Sequence, residues 1–281
     1  MNRKKTRIIL LSILIITNII LLGIYLTTEK KLNNRDTKEF ARETVDILKE
    51  HNITVSTPIP IKKKPLKSLR VEFESIGPET LNDRFFEGEG QVETPSRNKV
   101  EIQNKNEFIT VINDKRILYE NTGVKKGEEK IEKDDAEFYC LRFLKEKGYD
   151  TKDMSPATVE EDHGKFYVNF YKKYKDKVLE KSFTNFTLDE KGIKTMDRLW
   201  LNVIEEGSLK IHIWPASKAL LSLISNEDYE GKEIVDINMC WYFDPEAQGY
   251  VEDITKAKQG RAIPAWRIVF SDGESTIVEG Y

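Results

Sequence analysis

Phe166-Tyr167-Val168-Asn169-Phe170, read with the run Ala136-Glu137-Phe138-Tyr139-Cys140-Leu141-Arg142-Phe143-Leu144 ahead of it, decides the fold class. In the first stretch the apolar side chains fall on even positions and Asn169 points away, the period of two that marks a strand packed on one face. In the second, Ala136, Tyr139, Cys140, Phe143 and Leu144 recur at helical spacing and form a single stripe. Asp134 or Asp135 can cap that helix, and Gly148 is a natural stop. A striped helix followed by one-faced strands is the pattern of an α+β layer, with the stripe buried on the sheet.

Working outward, the same order recurs on both sides. Asp36–Glu50 clusters Phe40, Val45, Ile47 and Leu48 on one helical side. Strand-like runs follow at Leu69–Ser75, Lys99–Gln103, Glu107–Asn113 and Lys115–Tyr119, with Asn113-Asp114 as a tight turn. After the central helix come Phe166–Lys175, Val178–Leu188 and Ile193–Val203, turned by Lys175-Asp176-Lys177 and Asp189-Glu190-Lys191-Gly192. A third, short helix opens at Pro215 with Ser217 as its cap and carries Ala219, Leu220, Leu223 and Ile224 before Asn226. Glu233–Phe243, Trp266–Phe270, the turn Ser271-Asp272-Gly273-Glu274 and Ser275–Glu279 complete it, with His212-Ile213-Trp214 read as strand. Such sustained alternation predicts antiparallel sheets with one packed and one wet face. The expected fold is α+β, built of helix-on-antiparallel-sheet units that are cystatin-like or PepSY-like pseudo-repeats.

Ile8 to Leu26 is of another kind: nineteen residues without a charge, preceded by Arg3, Lys4, Lys5 and Arg7. At about 1.5 Å per residue such a helix covers the roughly 30 Å of a bilayer's hydrocarbon core. The basic flank holds the N-terminus in the cytoplasm, because cationic segments resist translocation. The run exceeds the usual h-region of about 7–15 residues, and Tyr25-Leu26-Thr27-Thr28-Glu29 offers no A-x-A-like cleavage site, which favours an anchor over a cleaved signal. The expected organisation is a cytoplasmic tail (1–7), a transmembrane helix (8–26), an N-terminal extracytoplasmic α+β domain (27–123) and a C-terminal one (124–281). The last contains units at about 132–204 and 215–281. Thr122–Lys133, rich in Gly, Lys and Glu, reads as the linker, and Ile61-Lys62-Lys63-Lys64-Pro65 as an exposed connection. Within the anchor, Asn18 lies near the bilayer midplane, where an amide without water seeks a neighbouring helix. Ser12 and Gly23 share nearly one face and allow close backbone approach. These three are the candidate partner contacts; the alternative is a plain tether that tolerates its Asn.

Composition bounds the rest. Removing the four basic residues of the tail leaves 41 Lys and Arg against 48 Asp and Glu, a net of −7. That mildly acidic surface argues against non-specific nucleic-acid binding. Cys140 and Cys240, a hundred residues apart, are either two buried thiols or a disulfide. With three His and no C-x-x-C, no metal site can be read. Glu160-Glu161-Asp162-His163-Gly164 reads as a solvated turn. Ser217 lacks the glycines of a nucleophile elbow. No Gly-rich phosphate loop occurs, so neither catalytic residues nor a cofactor are expected.

The sequence Gly260-Arg261-Ala262-Ile263-Pro264-Ala265-Trp266-Arg267-Ile268, then Asp272-Gly273, is the most specific motif. Locally, Pro264 can start an edge strand, with Trp266 and Ile268 facing one side and Arg267 the other. Together with the basic tail, the single anchor and the Pro215-Ala216-Ser217 helix start, it resembles the YycI/YycH family, YycI being closer in length. These are regulatory proteins of the essential cell-wall two-component system of low-GC Gram-positive bacteria. The resemblance implies a non-enzymatic membrane-anchored protein whose anchor contacts the transmembrane helices of a WalK/YycG-type sensor histidine kinase. It also implies an ectodomain paired with a YycH-like partner as a hetero-oligomer. Pro264, Ala265, Trp266, Arg267, Ile268, Asp272 and Gly273 are then mainly structural. A competing reading is a tethered PepSY-like binding or peptidase-inhibitory module.

Overall fold

The computed structural model describes residues 13–21, 38–61, 65–123, 131–246, 249 and 251–280. Contacts divide the chain into two compact units. One gathers the described residues of Met1–Lys63 with Trp214–Ile237 and Ile268–Gly280; the other holds Lys64–Ile213 and Asn238–Arg267. Both units are discontinuous in sequence.

In the larger unit, a meander of β3 (Gln91–Ser96), β4 (Lys99–Asn104), β5 (Glu107–Ile112) and β6 (Arg116–Asn121) is antiparallel throughout. Asn113 and Asp114, both at positive φ (50° and 59°), form the β5–β6 turn, a conformation that Asn and Asp tolerate better than most residues. A second antiparallel set is β7 (Thr158–Asp162), β8 (Lys165–Tyr174), β9 (Lys177–Asp189) and β10 (Gly192–Leu199). β10 pairs antiparallel with β6, Thr195 opposite Glu120 and Arg198 opposite Ile117, so the two meanders share one sheet across the segment Thr122–Lys133. Two helices carry its core. These are α2 (Pro78–Phe86), opened by Pro78 in its first turn, and α3 (Ala136–Glu146). Leu81, Phe85, Ala136, Cys140 and Leu144 pack into one cluster with Ile109, Val168, Phe170 and Phe186. The Phe85 ring lies 5.6 Å from Tyr119 and 6.0 Å from Phe143.

The expected alternation holds on β8: Phe166, Val168 and Phe170 are buried, Tyr167 exposed. Gly148 stops α3 at φ +75° as expected. Neither Asp134 nor Asp135 caps it by a side-chain hydrogen bond; they sit in a 3₁₀ turn, Lys133–Asp135, that runs into the helix. The run Ile193–Val203 is two strands, because the chain breaks at Trp200. β10 stays with β9, whereas β11 (Leu201–Ile211) pairs with β2 (Leu66–Phe73). His212-Ile213-Trp214 lies beyond β11 and is not strand. A second cluster joins Leu69, Val71, Phe73, Leu179, Leu201, Trp241 and Phe243.

In the smaller unit, helix α1 spans 38–50. Its buried line is Ala41, Thr44 and Leu48 rather than the expected Phe40, Val45, Ile47 and Leu48, and Ile47 is exposed. Thr44 can face inward because its hydroxyl donates to the Phe40 carbonyl at 2.7 Å. β1 (Thr54–Val55) runs parallel to the start of β12 (Glu233–Tyr242). α4 is short (Ala216–Leu221); Pro215 takes the cap position, and Ser217 is buried inside the helix without a capping bond. β13 (Gln259–Phe270) ends in this unit and turns into β14 (Ser275–Val278).

Residues 13–21, inside the expected anchor, are helical with their apolar side chains exposed. Among the described residues no helix is long and apolar enough to cross a membrane. The remainder of 8–26 lies outside them.

Candidate functional site

Two places hold the residues singled out from the sequence, and a third lies beside them. The first is the anchor. Asn18 Nδ2 donates to the Leu14 carbonyl at 3.0 Å, and Thr17 Oγ1 to Ile13 at 2.8 Å. The amide thus spends one donor on its own helix. Ser12 and Gly23 lie outside the described residues.

The second is β13 itself. Pro264 does not start the strand; it sits in the middle, two residues past Ala262, the last to pair with β2 (opposite Leu69). A residue without an N–H is tolerated where that ladder has ended. Trp266 and Ile268 are buried on one side as expected. Arg267 points to the other side but is also enclosed, its Nε 2.9 Å from Glu180 Oε1 on β9, with side chains 17% and 11% exposed. The charges pair although neither atom has an aligned hydrogen-bond partner among the described residues. Burial pushes the Glu180 carboxyl above its ordinary value, against the pull of Arg267 and Lys181. Arg267 also lies over the Tyr171 ring at 5.2 Å. Cys240, 3.6 Å from the Ala265 carbonyl, is a free thiol pushed well up by desolvation and by Glu180. Cys140 is likewise free and buried. At the C-terminal end, Asp272 Oδ1 accepts from the Glu274 N–H at 2.9 Å and Gly273 adopts φ +86°, so these two residues build the β13–β14 turn. Lys232 ties the turn down through Asp272 at 2.8 Å and through Glu274.

The third place was not legible in advance. Beside the N-terminal half of β13 opens a groove of about 900 Å³, floored by Ile211, Phe243, Val251, Ala257 and Ile263 and edged by Lys256, Lys258 and Arg261. Gly260 makes the floor possible: a Cβ there would drive into the Phe243 ring at Cε2 and Cζ. Lys256 pairs with Glu252 at 2.9 Å. The signal in sequence was the stretch Ile254–Ser271, which holds four cations and no carboxylate in a chain with 48 acidic residues.

Sequence reading also missed a buried cationic cluster. Arg198, 1% exposed, donates to Glu74 Oε2 at 2.8 Å and to Thr184 Oγ1 at 2.8 Å. Its guanidinium lies over the Tyr149 ring at 4.6 Å and the Trp200 ring at 4.4 Å. Lys172, ion-paired with Asp153, adds a second cation 5.4 Å from the Trp200 ring. Arg198 on β10 and Lys172 on β8 are thus tied to Thr184 on β9 and to Glu74, Tyr149, Asp153 and Trp200, which lie outside the strands. In this way the cluster holds the sheet at the Trp200 break. Among the described residues no group of His, Cys, Asp and Glu is arranged to hold a metal ion.

Compared with known proteins, the chain is matched by a protein-family model described as YycI protein over residues 32–281. No match is found among curated proteins. Among solved structures, an uncharacterized protein from Eubacterium rectale is similar at 13% identity and a TM-score of 0.50, over 81% of this chain and 87% of its own. The C-terminal domain of Bacillus megaterium YpeB is similar at 8% identity and a TM-score of 0.37, over 73% and 99%. The first likeness is one of fold.

Proposed function

Because this chain belongs to the YycI family, whose members are membrane-anchored, non-enzymatic regulators of the WalK/YycG system, we propose that it works by binding one conformation of a WalK/YycG-type sensor histidine kinase better than another. The family match over residues 32–281 carries the reading. The anchor lies ahead of that match, and its part rests on the chemistry of Ile8–Leu26. A polar amide at the midplane of an apolar helix is an interhelical contact in waiting, worth about 0.5–2 kcal/mol. A ligand shifts an equilibrium only by its differential affinity for the two states. A coupling of about 1–3 kcal/mol, within reach of one or two such contacts, changes output some 5–150-fold. The extracytoplasmic domain pairs with a YycH-like partner and sets where along the kinase the anchor can sit.

Asn18→Leu with Gly23→Leu tests the mechanism. The expected result is a changed kinase output and weaker co-purification of the kinase at an unchanged level of this protein. Unchanged output together with unchanged co-purification overturns the anchor contact. The tethered-binding reading is favoured by the β13 groove. It requires a fragment from Asn34 onward to retain full activity.

A further inference from the structure

The groove beside β13 has no part in a transmembrane contact, and its chemistry points elsewhere. Its volume, about 900 Å³, falls within the roughly 300–1,000 Å³ of small-molecule sites, which are apolar with a few placed polar groups. Of its three cations, only Lys256 has a carboxylate partner. Lys258 and Arg261 have none among the described residues. Opposite Arg261 on the neighbouring strand stands Arg70, a like charge whose own partner is Glu205 at 3.1 Å. Lys115 lies nearby: its Nζ donates to the Thr255 carbonyl at 2.7 Å, and it is attracted by Asp114 and Asp253 as well as repelled by Lys258. Two exposed cations, Lys258 and Arg261, therefore stand without a carboxylate partner among the described residues at the edge of an apolar groove, in a protein whose net charge is −3.

We propose that this groove binds a single-chain anionic amphiphile, an alkyl chain ending in one carboxylate or phosphate, with the chain over Phe243, Val251 and Ile263 and the head on Lys258 and Arg261. A free anion held by two exposed cations gains little, because water and salt screen the pair. A chain adds about fourfold in affinity for each methylene buried. A folded acidic surface cannot reach Phe243 and Ala257, which are buried below the rim, whereas a file of methylenes can.

The test uses the full chain in phosphatidylcholine nanodiscs and a dodecyl phosphate carrying a diazirine midway along its chain. After irradiation, labelled peptides are mapped by mass spectrometry. Labelling is expected within 243–263, suppressed by excess unlabelled dodecyl phosphate but not by equal inorganic phosphate. It is expected to fall about tenfold in Lys258→Gln/Arg261→Gln, whose side chains are exposed, so that its melting temperature stays that of the parent. A diazirine dodecanol should label parent and variant equally. Labelling of 243–263 that survives the double substitution overturns the proposal. So does its absence there while other segments are labelled, or competition by inorganic phosphate or an acidic peptide as strong as that by dodecyl phosphate.

Discussion

Replacing Arg267 by Met removes one partner of the pair that joins β13 to β9 and leaves the enclosed Glu180 carboxylate with only the weaker pull of Lys181. Breaking a buried pair from one side costs about 3–5 kcal/mol. The side chains are 17% and 11% exposed, so water screens part of the loss and the lower end, about 3 kcal/mol, is expected. In a protein of this size each kcal/mol moves the melting temperature by about 2–4 °C, which puts the drop at about 6–12 °C near neutral pH. The pH dependence has a definite sign. Burial already holds the Glu180 carboxyl above its ordinary value, and Arg267 pulls it down. Without Arg267 the folded-state value rises further above the unfolded one. The folded protein then binds the proton first, so the destabilisation is full above the folded value and shrinks as the pH falls toward the unfolded value of about 4.3. Thermal unfolding of the full chain followed by tryptophan fluorescence, at pH 7.5 and pH 5, checks this. Glu180→Gln/Arg267→Met, with both charges gone, should recover most of the loss. A drop below about 2 °C at pH 7.5, an equal drop at both pH values, or a double variant no more stable than the single one refutes the reasoning.

Further expectations follow from the same strand and the central helix. Gly260→Val forces a side chain into the Phe243 ring, and overpacking of this kind costs about 1–3 kcal/mol; urea unfolding should show a lower midpoint, and a parent-like midpoint contradicts the account of the groove floor. Leu144→Ala empties a fully buried position in α3 and should cost about 2–5 kcal/mol in the same assay. Cys140 and Cys240 are buried and their thiols are pushed up by desolvation. Iodoacetamide at pH 8 should therefore leave both unmodified in the folded protein and alkylate both after denaturation.

Much of this architecture was written in local patterns. The period of two on Phe166–Phe170, the stop at Gly148 and the Asp272-Gly273 turn depend on neighbours in sequence, and each reads correctly. What escaped depends on distant partners. The strand break at Trp200 is invisible locally because Leu199-Trp200-Leu201 is one continuous apolar run, with no Gly or Pro in Ile193–Val203 to mark a turn. It arises because Leu201 pairs with Phe73 while Leu199 still pairs with Phe183. The sharing of one sheet by the two meanders rests on the β6–β10 pairing, which no spacing encodes. Helix α2 did leave a trace, with Pro78 in its first turn and Leu81, Phe85 and Phe86 buried on one side, but nine residues before a Gly-rich turn resemble a loop. Arg198 illustrates the general limit: its partners Glu74, Tyr149 and Thr184 come from three separate segments, so its burial follows from the fold and could not have predicted it. The cations of the β13 groove, by contrast, stood in plain sequence as an acid-free stretch, and needed the floor beneath them to gain a meaning.

The claim on which the functional account rests is that the anchor touches the kinase, and crosslinking inside the membrane tests it most directly. A photoreactive residue at position 18 of the full chain, irradiated in cells, should capture a histidine kinase, and the adduct should vanish when that kinase's transmembrane helices are exchanged for unrelated ones. Capture of lipid alone, with the protein abundant and the kinase present, would contradict the account and leave the anchor a tether.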